Sequence, residues 1–201
     1  MIHLLLDNGH GDPPLTGGKC SPDKRILEYY WAREIVKRIS QRAAAIPGVM
    51  VHIITPEIKD IALGTRTRRV NEICRQYGTS NCVLISVHIN AAPGTGWSNA
   101  SGFCPYVAPN ASTKSKQFAR MLWEYAERAG LRGNRVVPNE KYWVGNYAII
   151  RDTNCPAVLT ENLFMTNRDE VDYLISESGK QTIVDYHIAA FNDYIKNVLK
   201  K

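Results

Sequence analysis

Apolar and polar residues alternate along this chain in two rhythms, and the switches between them mark its elements. Residues 2–6 form an apolar run interrupted only by His3, the pattern of a short strand covered on both faces. Over residues 22–43 the period lengthens. Leu27, Trp31, Ile35 and Ile39 recur every fourth position, with Ala32 and Val36 widening the stripe, which predicts an amphipathic helix. Ser21-Pro22 reads as its N-cap followed by proline at the first helical position, which puts Glu28 in the second turn. Pro47-Gly48 breaks the pattern, and residues 49–54 read as a second strand, with His52 a packed histidine. Residues 64–77 return to helical spacing through Val70, Ile73 and Tyr77, stopped by Gly78.

The second half repeats the alternation. Residues 82–87 are almost continuously apolar, as a central strand should be, and residues 103–107 form another. A helix is expected over 112–129, with Phe118, Leu122 and Tyr125 facing inward. Residues 130–146 read as irregular, with the aromatic pair Tyr142-Trp143 able to rim a groove. Residues 147–150 and 157–160 read as short strands, Asn167 caps a short helix, and residues 183–199 close the chain as a helix in which His187 is structural. Strands joined by helical crossovers give an α/β fold: one domain over 1–201, with a mostly parallel twisted sheet of about six strands and helices on both faces.

Composition narrows the classes of function. Twenty-five Lys and Arg against nineteen Asp and Glu give a net charge of +6, but the excess is diffuse. Its densest cluster, Arg66-Thr67-Arg68-Arg69, lies in a helical pattern, where a solvated face is the default. Nucleic-acid binding is therefore not expected. No apolar run approaches the roughly 18 residues of a membrane span, so no membrane insertion is expected either. The five cysteines are scattered and lack a CxxC pair, which favours thiols over a disulfide framework. Asp7 follows the first strand directly and leaves no room for a signal peptide. The expectation is a chain made in the cytoplasm without its own export signal.

Candidate chemistry gathers where strands end. In a parallel sheet the carboxyl edge is the usual ligand crevice. His10 lies in the glycine-flanked turn after the first strand, His88 follows the third and Glu161 the last, while Glu28 belongs to the helix after the first. Two histidines and a carboxylate, with a fourth position left for water, match the ligand set of a catalytic zinc site. A second carboxylate beside them fits a general base. Spacing alone does not decide which glutamate takes which part.

Five segments carry a resemblance. Asp7-Asn8-Gly9-His10-Gly11, Glu28, Leu63-Gly64-Thr65-Arg66 with Asn71, Ser86-Val87-His88-Ile89-Asn90-Ala91, and Pro156-Ala157-Val158-Leu159-Thr160-Glu161-Asn162-Leu163-Phe164-Met165-Thr166-Asn167 together resemble the zinc-dependent N-acetylmuramoyl-L-alanine amidases of the amidase_3 type. The resemblance implies hydrolysis of the amide between the lactyl group of N-acetylmuramic acid and L-alanine in peptidoglycan. It makes His10, Glu28 and His88 ligands of one Zn2+ and Glu161 the catalytic carboxylate, with Arg151 and Asn90 as auxiliary substrate contacts. Asp12 and Asp23 are fallback ligands. Asn8 stands where the family usually has proline, and Leu163 where glycine often follows the catalytic glutamate. The implied partner is peptidoglycan, met by a monomer without a separate wall-binding module and acting at the cell wall, as an endolysin does. Two other readings are a zinc peptidase cutting within the stem peptide and a catalytically silent wall-binding module. A cysteine hydrolase using Cys104 or Cys155 is disfavoured.

Overall fold

The computed structural model describes residues 1–12 and 19–200; the loop expected at 13–18 lies outside the described residues. Its elements run β1 (Ile2–Asn8), α1 (Glu28–Ala44), β2 (Val49–Ile53), α2 (Leu63–Tyr77), β3 (Cys82–Asn90) and β4 (Cys104–Val107). Then follow α3 (Thr113–Arg128), β5 (Trp143–Val144), α4 (Ala148–Arg151), β6 (Ala157–Phe164), α5 (Arg168–Ile175) and α6 (Glu177–Tyr194). The six strands form one sheet in the order β2-β1-β3-β6-β4-β5. β2, β1, β3 and β6 pair in parallel, and β4 runs antiparallel to β6. The expected mostly parallel α/β sheet is what forms.

Strand alternation divides the core into two layers. Leu4, Leu6, Val83, Ile85 and Val158 point to one face, where they pack with side chains of α1, α3 and α6. Leu5, Leu84 and Leu159 point to the other, beneath Val70 of α2 and Ile149 of α4. Each such Leu, Ile or Val contributes about 1.5–3 kcal/mol when fully buried. No helix among the described residues is long and apolar enough to cross a membrane.

Several elements differ from expectation: β5 lies within the stretch 130–146 read as irregular, and the closing helix α6 spans Glu177–Tyr194 rather than 183–199; three further differences have a local reason. α1 begins at Glu28 rather than at residue 22. The Ser21 hydroxyl donates to Asp23 Oδ1 (2.7 Å) and accepts from the Ile26 N–H (3.1 Å), a side-chain turn that competes with helix formation. Cys20 then bridges to Leu27, which is exposed rather than part of the buried stripe. The strand expected at 147–150 is the single helical turn α4; periodicity cannot separate strand from helix in so short an apolar run. Finally, β3 and β6 continue past residues 87 and 160, so His88 and Glu161 lie within strands and are direct register partners. Beyond them the register shifts, and Leu163 takes a left-handed φ of 65°. Glycine would meet no steric penalty there; leucine carries one and gains a buried side chain.

Candidate metal centre

After β1 the chain turns through Gly9, His10 and Gly11 with His10 itself at φ 60°. A Cβ on Gly9 would sit 2.2 Å from the His88 ring, and one on Gly11 2.2 Å from the Asp60 backbone. The flanking glycines thus let a ring and a neighbouring chain segment press against the turn. Arg66 fastens it from beneath: Nη1 donates to Asp7 Oδ1 (2.8 Å) and Asn8 O (3.0 Å), Nη2 to His10 O (2.9 Å) and Asp60 Oδ1 (2.8 Å), and Nε to Ile61 O (2.7 Å). The solvated-face reading of the Arg66-Thr67-Arg68-Arg69 run is therefore corrected. Arg68 is exposed, but Arg66 is buried because two carboxylates and three carbonyls converge on its guanidinium. A buried ion pair of this kind does more to fix geometry than to add net stability.

Glu28 is held between the two histidines. Its Oε1 accepts from the Ile89 N–H (3.1 Å) and lies 3.0 Å from His88 Nδ1, while Oε2 lies 3.4 Å from His10 Nε2. The side chain is almost wholly buried. Burial pushes its carboxyl up, yet the bonds and charge of His10 and His88 outweigh this and hold it well below the usual carboxylate range. Burial pushes His88 down, and the Glu28 carboxylate reverses that and leaves it above its ordinary value.

One donor atom each from His10, Glu28 and His88 lie within 4.8 Å of one another, a set able to hold a metal ion. Its chemistry fits zinc. Imidazole nitrogen and carboxylate oxygen are zinc donors, and three protein ligands leave a position open. Glu28 Oε2 is buried and faces His10 Nε2 at 3.4 Å, and a facing nitrogen and carboxylate oxygen need a proton or a cation between them. His88 is also braced from behind. Ser86 Oγ donates to Asp7 Oδ2 (2.6 Å), so the 3.1 Å contact between Ser86 Oγ and His88 Nε2 is donated by the ring. That leaves Nδ1 as the nitrogen directed at Glu28, the outer-ligand arrangement metal-bound histidines require.

Glu161 stands on β6 directly across from His88. Its Oε2 is buried without a hydrogen-bond partner, and burial pushes its carboxyl up to about 7 against the pull of His88. A cavity of about 620 Å³ opens over these groups, lined by His10, Glu28, His88, Asn90, Tyr147 and Glu161 among others. Asn90 Oδ1 accepts from the Ala91 N–H (2.9 Å), and its buried Nδ2 has no hydrogen-bond partner. Arg151 also lines the cavity, but its guanidinium is engaged with Asp152 (2.6 and 2.7 Å) and Asn146 (2.8 Å). The fallback ligands Asp12 and Asp23 are exposed, and neither joins the metal-ligating cluster.

Sequence reasoning passed over Asp7 and Ser86, although a polar residue inside an otherwise apolar strand was the available signal; they are register partners on β1 and β3. Asn71, by contrast, has a simple task. It donates to Asp152 O and accepts from the Asn154 N–H, pinning the segment that leads into β6. Cys104 is buried, and burial pushes its thiol up to about 11, away from the thiolate that a nucleophile needs. All five cysteines are free thiols.

Comparison with known proteins agrees with this geometry. The family model described as N-acetylmuramoyl-L-alanine amidase, Amidase_3, matches residues 4–193. The endolysin of Bacillus phage SPP1 is 32% identical over 98% of this chain and 67% of its own length. The N-acetylmuramoyl-L-alanine amidase CwlM of Bacillus licheniformis is 23% identical over 93% of this chain and 66% of its own. The chain thus spans about two thirds of these relatives. Among solved structures, an N-acetylmuramoyl-L-alanine amidase from Clostridium difficile 630 superposes with a TM-score of 0.83 at 22% identity, covering 98% of both chains. The catalytic domain of CwlV from Bacillus (Paenibacillus) polymyxa var. colistinus gives 0.80 at 20%, covering 98% of this chain and 99% of its own. These structural likenesses bear on the fold, and the family match spans nearly all of the chain: it belongs to the Amidase_3 family of N-acetylmuramoyl-L-alanine amidases.

Proposed function

We propose that this chain hydrolyses peptidoglycan at the amide joining the lactyl group of N-acetylmuramic acid to the L-alanine of the stem peptide, with one zinc held by His10, Glu28 and His88. The observation that carries the reading is the buried Glu28 carboxylate set between two histidine nitrogens, Oε1 at His88 Nδ1 and Oε2 at His10 Nε2, with Glu161 in register alongside. When bound, zinc supplies Lewis acidity towards water and the scissile carbonyl. The remaining work falls to the chain's own residues. Glu161 takes the proton from the attacking water and returns it to the leaving amide nitrogen. Asn90, which lines the cavity, contacts the substrate, and so does Arg151 while keeping Asp152. Ser86 and Asp7 hold the His88 ring. We place its site of action at the cell wall, as for the relatives whose names describe wall amidases and an endolysin, and expect it to act as a monomer.

Digestion of purified peptidoglycan distinguishes this reading from its alternatives. The expected products are peptides with a free N-terminal L-alanine and glycan strands stripped of peptide. Cut peptides still attached to muramic acid would make it a stem-peptide peptidase, and an inert zinc-loaded protein a silent wall-binding module. Glu161→Gln is expected to bind zinc normally and to lose about 10²–10⁴-fold in rate, the usual size of a general acid–base contribution. An unchanged rate would remove Glu161 from its assigned role.

A further inference from the structure

Beside the metal centre, the sheet carries a second group of polar and aromatic side chains. β4 pairs antiparallel with β6, Cys104 opposite Glu161 and Tyr106 opposite Leu159, so Cys104 and Tyr106 share the face that carries Glu161. The Arg135 guanidinium lies over this step. Its Nη1 is 3.4 Å from Cys104 Sγ, and its carbon stands 5.4 Å from the Trp143 ring centre and 5.8 Å from that of Phe164. Tyr147 meets Tyr106 edge-on, with ring centres 5.4 Å apart, and also lines the metal cavity. Tyr147 thus joins this group to the cavity wall.

Arg135 is held in place without being neutralised. Among the described residues it forms no ion pair with a carboxylate, unlike Arg66, which has two. A guanidinium carries five donors, and a thiol sulfur is a weak acceptor for them. The segment leading to it is pinned: Asn134 N–H donates to Ser101 Oγ (3.0 Å), Asn134 Oδ1 accepts from the Ser101 N–H (3.1 Å), and Asn134 Nδ2 donates to Asn99 O (2.7 Å). The guanidinium also hydrogen-bonds the Tyr106 side chain, so it is a half-buried cation aligned by neutral partners and aromatic faces, and is preorganised for a planar anion.

We propose that Arg135 binds a carboxylate borne by the second residue of the stem peptide, and so sets a preference for peptidoglycan in which that group is free rather than amidated. The inference rests on the amidase reading above. The muramic acid carboxyl is consumed in the scissile amide, so an anion close to the reaction centre comes from the peptide side. One strand spacing of about 4.8 Å separates Glu161 from Cys104, and Arg135 begins 3.4 Å further on. In an extended peptide a carboxylate on the second residue lies about 6 Å from the nitrogen of the first, and a hydrogen bond of about 2.9 Å covers the rest of the distance to the guanidinium.

The test uses two N-acetylmuramoyl-tetrapeptides that differ only in a carboxylate or a carboxamide at that position, with kcat and KM measured for the zinc-loaded protein. Wild type is expected to show a KM about 10- to 100-fold lower for the acid, the value of a charge-assisted contact. Arg135→Gln should raise the acid KM to that of the amide with zinc content unchanged, and Arg135→Lys should restore part of the preference. Equal KM values in wild type would overturn the proposal, whether or not the variant folds. So would an Arg135→Gln loss shared equally by both substrates. Cleavage of neither substrate by wild type would instead defeat the amidase reading itself.

Discussion

At the start of β1, His3 stacks on Tyr77 with ring centres 4.0 Å apart, and its Nδ1 lies 2.9 Å from His52 Nε2. At the other end of the strand, roughly 20 Å away, His10 and His88 meet edge to face at 5.1 Å. Both are histidine pairs on one sheet, yet they behave in opposite ways. Burial, and for His3 also its neighbour's charge, lowers the pKa of both His3 and His52, and neither forms an ion pair among the described residues. His88 is raised above its ordinary value because Glu28 sits beside it. A histidine pair becomes a cation site when a buried carboxylate stands between the rings; a pair stacked on an aromatic is packing.

That contrast predicts opposite responses to acid. The largest expected effect belongs to His187, buried in α6, where Nδ1 donates to Ile183 O (2.7 Å) and burial pushes the ring down to about 4. A histidine with a lowered folded pKa contributes stability that is complete above its unfolded value near 6.5 and is lost as pH falls from there towards 4. The displacement corresponds to about 3 kcal/mol. Urea unfolding of the metal-free chain across that range should show wild type losing this increment and His187→Gln not losing it; parallel profiles would contradict the assignment. His3 and His52 add to the slope with the same sign.

A smaller effect is expected where the metal site is braced. Ser86→Ala removes the group that receives the His88 Nε2–H and should weaken zinc about 10- to 100-fold, the usual cost of losing an outer partner. A competition titration with a chelator checks this. An unchanged affinity would mean that Glu28 and the Gly9 turn orient the ring unaided.

The chain's periodicity placed five of the six strands and the long helices, and strand ends together with the family resemblance marked His10, Glu28, His88 and Glu161; β5 and the helical turn α4 were missed. Periodicity could not show how local side chains redirect the backbone. Ser21-Pro22-Asp23 reads as a helix start, but its hydroxyl and carboxylate close on one another, and the helix waits until Glu28. The same delay puts Glu28 at the first residue of α1, facing the turn at His10. Arg66 looked like one of several surface cations because burial of a charge depends on partners distant in sequence, here Asp7 and Asp60. Arg135 was invisible for a related reason: its neighbours come from β4, β5 and β6, and no spacing within one segment brings them together.

The most direct test is the zinc content of wild type, His10→Ala, His88→Ala and His52→Ala after loading and dialysis. The two histidine pairs then serve as each other's control. One zinc per chain in wild type and His52→Ala, with none in either His10→Ala or His88→Ala, is the predicted result. Zinc retained in both site variants, or lost with His52, would contradict the account.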